Sequence, residues 1–175
     1  MDMVITMVGA DQPGLVSELT RILYEQDANL GDADMTRVGG TFAFILTVSL
    51  PEDRIHPLSK KLEEFSDQKD VEIHTTDAEH FRSRWGNVEP DTIVSVYGAD
   101  KPGIVYRVSE TLAENGINIC DLQSSLDKDQ DVYIMAMEIH RPDGFSLEEL
   151  ESQLHSVAED LNVDVSVRDI SDAPL

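Results

Sequence analysis

The chain has 175 residues, long enough for one large or two small domains, and its 41% hydrophobic content supports a packed core. Its formal net charge is −22, with 35 acidic against 13 basic residues and no local cluster of lysine and arginine. That balance argues against direct nucleic-acid binding, which needs a basic surface. It leaves either a basic partner or a solvated, self-repelling acidic surface such as a saline habitat favours. No apolar run reaches membrane-spanning length. Met1-Asp2-Met3-Val4 lacks the basic head of a signal peptide, so a cytoplasmic protein with no membrane association is expected. The single cysteine, Cys120, excludes an intramolecular disulfide and any multi-cysteine metal site.

In chain order, Val4 to Val8 is a β-branched run and predicts a strand. Asp11-Gln12-Pro13-Gly14 turns the chain, and Leu15, Leu19, Ile22 and Leu23 then recur at helical spacing up to about Asp27. Asn29 begins an extended segment through Val38, and Gly39-Gly40 is a hairpin signal. From Thr41 to Leu50 the residues alternate, with Phe42, Phe44, Leu46, Val48 and Leu50 on one face. Pro51 ends the run. Ile55, Leu58, Leu62 and Phe65 mark a second amphipathic helix, and Val71 to Thr75 a closing strand.

Ala78 to Pro90 fits neither period and reads as a linker, with Trp85 expected to pack it onto a domain. The pattern then repeats. Thr92 to Tyr97 is a strand, and a helix carries Ile104, Val105, Val108 and Leu112 inward and ends near Gly116. Asn118 to Leu126 and Val132 to His140 form a hairpin around Asp127-Lys128-Asp129-Gln130. Ser146 and Glu149 make a capping box, Leu147, Leu150, Leu154, Val157 and Leu161 follow at helical spacing, and Val163 to Ile170 is the last strand. The order βαββαβ, twice, predicts an α+β chain of two ferredoxin-like domains, antiparallel sheets with helices on one face. The expected divisions are 1–77, a linker at 78–90, and 91–175.

The two halves also share one stretch. Gly9-Ala10-Asp11-Gln12-Pro13-Gly14-Leu15-Val16 returns as Gly98-Ala99-Asp100-Lys101-Pro102-Gly103-Ile104-Val105. Asp11, Gly14, Asn29 and Asp32 map onto Asp100, Gly103, Asn118 and Asp121 at a constant offset, the mark of a duplicated domain. A strand turning sharply into a helix leaves backbone N–H groups without intrahelical partners, and the helix dipole favours an anion there. A carboxylate beside those groups suits a zwitterion: the backbone takes its carboxylate and Asp11 or Asp100 its ammonium. Asn29 and Asn118, expected at the loop's end of the sheet, add a donor and an acceptor. The other reading of the same residues is local: the aspartates cap helices and the glycines make turns.

The strand, the Asp-x-Pro-Gly-aliphatic-Val loop, the helix and the Asn-aliphatic strand resemble the ACT domain, a small regulatory module that binds amino acids. The resemblance covers Met3 to Thr76 and Thr92 to Asp169. A chain made of two such domains is similar to the glycine cleavage system transcriptional repressor family. The resemblance implies a ligand at an interface between two modules. It would be held by Asp11 and Asp100, by the backbone amides of Gly14, Leu15, Gly103 and Ile104, and by Asn29 and Asn118 from the facing module. It implies glycine or serine as first ligands to test, pairing of modules with a homodimer as one form, and action through a protein partner such as a transcription regulator or a metabolic enzyme. Two other roles share the pattern: a ligand-free scaffold, and the trans-acting regulatory subunit of a biosynthetic enzyme.

Other chemistry finds little support. Asp127, Asp129, Asp131 and Glu138 have calcium-loop spacing, but Val132 stands where that loop needs glycine. His56, His74, His80, His140 and His155 form no helical metal pair. Cys120 lies in a strand pattern and is expected to be a buried, inert thiol. No hydrolase elbow, phosphate-binding loop or dinucleotide fingerprint is present. No catalytic residue, metal or cofactor is therefore expected.

Overall fold

The computed structural model describes residues 1–81, 88–127 and 131–172. The chain divides into two units, Met1–Arg84 and Trp85–Leu175. Both are α+β, each a four-stranded antiparallel sheet with two helices against one face.

In the first unit, β1 (Asp2–Ala10) alternates: Met3, Ile5 and Met7 are buried, and Val8 emerges on the other face. Helix α1 (Leu15–Glu25) buries Leu15, Leu19, Ile22 and Leu23, the spacing its sequence predicts. Strands β2 (Asn29–Val38) and β3 (Thr41–Ser49) form the hairpin, with Phe42, Phe44, Leu46 and Val48 turned into the core. A 3-10 turn, Glu52–Arg54, leads into α2 (Ile55–Lys69), which adds Leu58, Leu62 and Phe65. Strand β4 (Val71–Asp77) closes the sheet in the order β2-β3-β1-β4. The helices thus cover one sheet face and leave the opposite face and the edge strand β2 open, so β2 is exposed throughout.

The second unit repeats this with β5 (Thr92–Ala99), α3 (Ile104–Glu114), β6 (Asn118–Asp127), β7 (Val132–His140), α4 (Leu147–Leu161) and β8 (Val163–Asp169), in the order β6-β7-β5-β8. The predicted cap at α4 forms: Ser146 Oγ accepts the Glu149 N–H at 3.0 Å. The last strand stops at Asp169 and continues as a 3-10 turn, Ile170–Asp172, rather than running through Ile170. The segment read as a linker begins with a 3-10 turn, Ala78–Phe81. Residues 82–87, with Trp85, lie outside the described residues, as do Lys128, Asp129 and Gln130 of the second hairpin.

The repeated loop is shaped by two glycines in each copy. Gly14 and Gly103 have φ of +97° and +98°, a region that a side chain disfavours. Gly9 and Gly98 are required by packing: a Cβ there would stand 2.6 Å from Val71 Cγ1 and 2.8 Å from Val163 Cγ1.

Candidate functional site

Gly14 and Gly103 are themselves the residues at which α1 and α3 begin, and no side chain caps either helix. Their carbonyls accept the first helical bonds, from Glu18 N–H and Arg107 N–H, each at 2.9 Å. The backbone N–H groups of the first turn remain for solvent or a ligand. This overturns the local reading of the aspartates, since neither Asp11 nor Asp100 caps its helix. Leu15 and Ile104 send their side chains into the core, both 2% exposed, so their backbone N–H groups are what they offer at the surface.

Asp11 is held by two contacts. Its N–H donates to Gly40 O at 3.2 Å, pinning the loop to the β2–β3 hairpin, and its Oδ2 receives Arg37 Nη1 at 3.0 Å. The loop opens into a groove of about 610 Å³ lined by Asp11, Gln12, Gly14, Leu15, Val16, Ser17, Met35, Arg37 and Phe42. The repeat does not flag Met35, Arg37 and Phe42. The signal for them is the Gly39-Gly40 turn, which pairs Arg37 with Phe42, together with the register that sets Phe42 opposite Gly9. Asp100 is exposed and has no hydrogen-bond or ion-pair partner among the described residues.

Gln12 and Lys101 differ chemically yet do one job. Gln12 Nε2 donates to Lys69 O at the end of α2, and Lys101 Nζ donates to Leu161 O at the end of α4. Both use the open carbonyls of a helix C-terminus to hold the loop down.

The asparagines are not where the sequence reasoning puts them. Asn29 and Asp2 both face Ser49, whereas Asp11 follows Ala10, which faces Thr41. Asn29 therefore sits at the opposite end of its own sheet from the loop, roughly 27 Å away at the rise of a strand. Asn118 stands in the same relation to Asp100: it faces His140, while Ala99 faces Val132. The reason is the helix, which carries the chain back along the sheet before the next strand starts.

Cys120 is also misjudged by the strand pattern. It is exposed, with Sγ 3.7 Å from Asn118 Nδ2 and 3.8 Å from Val88 O. A bulge explains it: Ile119 faces Ile139 and Asp121 faces Glu138, so Cys120 is an extra residue on an uncovered edge strand. Among the described residues no group of three or more His, Cys, Asp or Glu is placed to hold a metal, and no helix is long and apolar enough to cross a membrane.

An ACT domain family model matches residues 1–76 and again residues 91–168. The chain belongs to the ACT domain family. A single-module stretch of the chain also resembles small archaeal proteins. A UPF0237 protein of Methanopyrus kandleri is 37% identical over 76 residues, covering 43% of this chain and 83% of that protein. A UPF0237 protein of Methanocaldococcus jannaschii is 34% identical over 72 residues, covering 40% and 80%. Solved structures match the whole tandem. A protein of unknown function from Galdieria sulphuraria superposes with a TM-score of 0.77 at 25% identity, covering 97% of this chain and 98% of that one. A protein proposed to be a glycine cleavage system transcriptional repressor gives a TM-score of 0.73 at 21% identity, covering 97% and 96%, a likeness of fold. ACT modules generally bind small amino acids, and membership of the family supports a ligand-sensing regulatory role.

Proposed function

We propose that this tandem ACT protein senses a small amino acid at its repeated loop and passes that signal to a protein partner. The observation that carries the reading is the doubled, uncapped helix start at Gly14 and Gly103, each preceded three residues earlier by a surface carboxylate, Asp11 or Asp100. First-turn N–H groups take the ligand carboxylate and the aspartate takes its ammonium. Glycine and serine are the first ligands to test, as the family resemblance implies.

Asn29 and Asn118 complete such a site only from a facing module, because each lies at the far end of its own sheet. Antiparallel pairing of an edge strand with its counterpart brings that far end against a loop. Edge strands β2 and β6 are exposed along almost their whole length, including Leu30, Met35 and Leu122, and pairing would cover them. A ligand bridging two modules binds the paired state better than the separate one, which is what lets it shift the equilibrium. With a net charge of −22, control runs through contact with a transcription regulator or an enzyme of amino-acid metabolism, not through nucleic acid.

The test is thermal unfolding of the full chain against the twenty amino acids, with Asp11→Ala and Asp100→Ala alongside. A ligand at a hundred times its dissociation constant stabilises by about 2.7 kcal/mol, several degrees in midpoint. A selective rise lost in one or both variants supports the sensor. A flat response to all twenty rejects it and favours the scaffold.

A further inference from the structure

Beside the first loop stands an arginine, Arg37, where the second unit has a leucine, Leu126. In the first unit Arg37 projects beside the loop, its Nη1 3.0 Å from Asp11 Oδ2, and its other guanidinium N–H groups have no partner among the described residues. Its side chain is 68% exposed. An ion pair at that exposure contributes at most about 1 kcal/mol, so an incoming charged group competes with it readily. In the second unit the equivalent position is Leu126: Arg37 faces Phe42, which faces Gly9, and Leu126 faces Tyr133, which faces Gly98. Asp100 therefore has no cation partner among the described residues, whereas Asp11 already has one.

We propose that Arg37 sets specificity, so that the first loop takes an amino acid with a second acidic group, of the aspartate or glutamate class, and the second loop takes a neutral one. This rests on the amino-acid reading above. At the first loop a neutral amino acid brings its ammonium to a carboxylate already shared with a guanidinium, and the two cations compete. A side-chain carboxylate resolves that conflict, because it gives Arg37 a new partner as the ammonium reaches Asp11. The free edge of the guanidinium presents paired N–H donors, the geometry that matches a carboxylate. Met35 and Phe42 line the same groove and supply an apolar wall for the ligand's methylene groups. The acidity of the whole chain does not prevent this, since exposed charges farther than about 8 Å are largely screened at physiological ionic strength.

Calorimetric titration of the full chain with L-glutamate, L-aspartate, glycine and L-serine tests it, using wild type, Arg37→Leu and Arg37→Gln. Because Arg37 is exposed, both variants should keep the wild-type unfolding midpoint without ligand. Losing a charge-assisted pair lowers the ratio of glutamate to glycine affinity by about tenfold or more. An unchanged ratio in both variants overturns the assignment. So does binding of neutral amino acids only by wild type, in which case the sensor reading stands without it. Absence of binding by all four, with a flat response in the unfolding panel, removes the sensor reading itself.

Discussion

Arg141 grips Asp91 from two directions: its backbone N–H donates to Asp91 Oδ2 and its Nε to Asp91 Oδ1, each at 3.0 Å. The same guanidinium reaches Thr92 Oγ1 at 2.7 Å and Asp169 Oδ2 at 3.2 Å, and its side chain is 16% exposed. His140 Nδ1 stands 3.4 Å from Asp91 Oδ2. These contacts tie the start of β5 to the ends of β7 and β8. At the matching corner of the first unit the chain start does the work, with Met1 N donating to Leu50 O and Leu50 N to Met1 O.

The cluster should make the second unit acid-sensitive. Burial by itself raises the Asp91 carboxyl. The Thr92 hydroxyl, the Arg141 side chain and the Arg141 N–H together outweigh it, so the group titrates below its ordinary 3.8. Asp169 is also held low, by the hydroxyl and N–H of Ser171. A depressed native pKa contributes stability that is present above the unfolded value and lost as pH falls through the native one. Wild type should therefore lose denaturant resistance as pH falls below about 4. Arg141→Leu, which removes the guanidinium donor from Asp91 and keeps the Thr92 hydroxyl and the backbone N–H, should cost about 1–3 kcal/mol at neutral pH and flatten that acid limb. An acid limb of unaltered slope in the variant would show that the cluster is not its source.

Gly9 and Val71 should behave as a coupled pair. A Cβ at residue 9 meets Val71 Cγ1 at 2.6 Å, and Val71 is 5% exposed, with little room to move aside. Gly9→Ala alone should destabilise by about 1–3 kcal/mol through overpacking. Combined with Val71→Ala, the loss should fall short of the sum of the single losses by about 1 kcal/mol, because the new methyl occupies the space vacated. Urea unfolding of the four chains measures the cycle, and strict additivity would contradict the close approach.

Cys120 should react in the native state. Its exposure on the bulge of β6 predicts complete modification by a disulfide-exchange reagent without denaturant. Protection that lifts only on unfolding would place the thiol inside, whereas protection that lifts on dilution of the protein would place it under a paired β6 edge.

Much of the fold is legible in the residues alone because burial imposes a period. Leu15, Leu19, Ile22 and Leu23 repeat at helical spacing, Phe42 to Val48 alternate, and each pattern has one face that can meet a core. The constant offset between Asp11 and Asp100, Gly14 and Gly103 exposes the duplication without coordinates. The positive φ of Gly14 and Gly103 agrees with the strand-to-helix turn predicted there.

Which side chains share a site is a different quantity, set by strand register and chain direction rather than by local period. Asn29 and Asp11 lie in one repeat, yet Asn29 pairs with one end of β3 while Asp11 follows Ala10, which pairs with the other. Arg37 carries no repeated signature, and only the pairing of β2, β3 and β1 brings it to Asp11. Cys120 follows a strand pattern until a bulge takes it out of step. Local propensity and hydrophobic burial act over a few residues, so the elements, their order and the duplication are legible along the chain. Contacts between residues far apart in the chain depend on how strands align, so the tertiary structure alone decided what surrounds Asp11, Asn29 and Cys120.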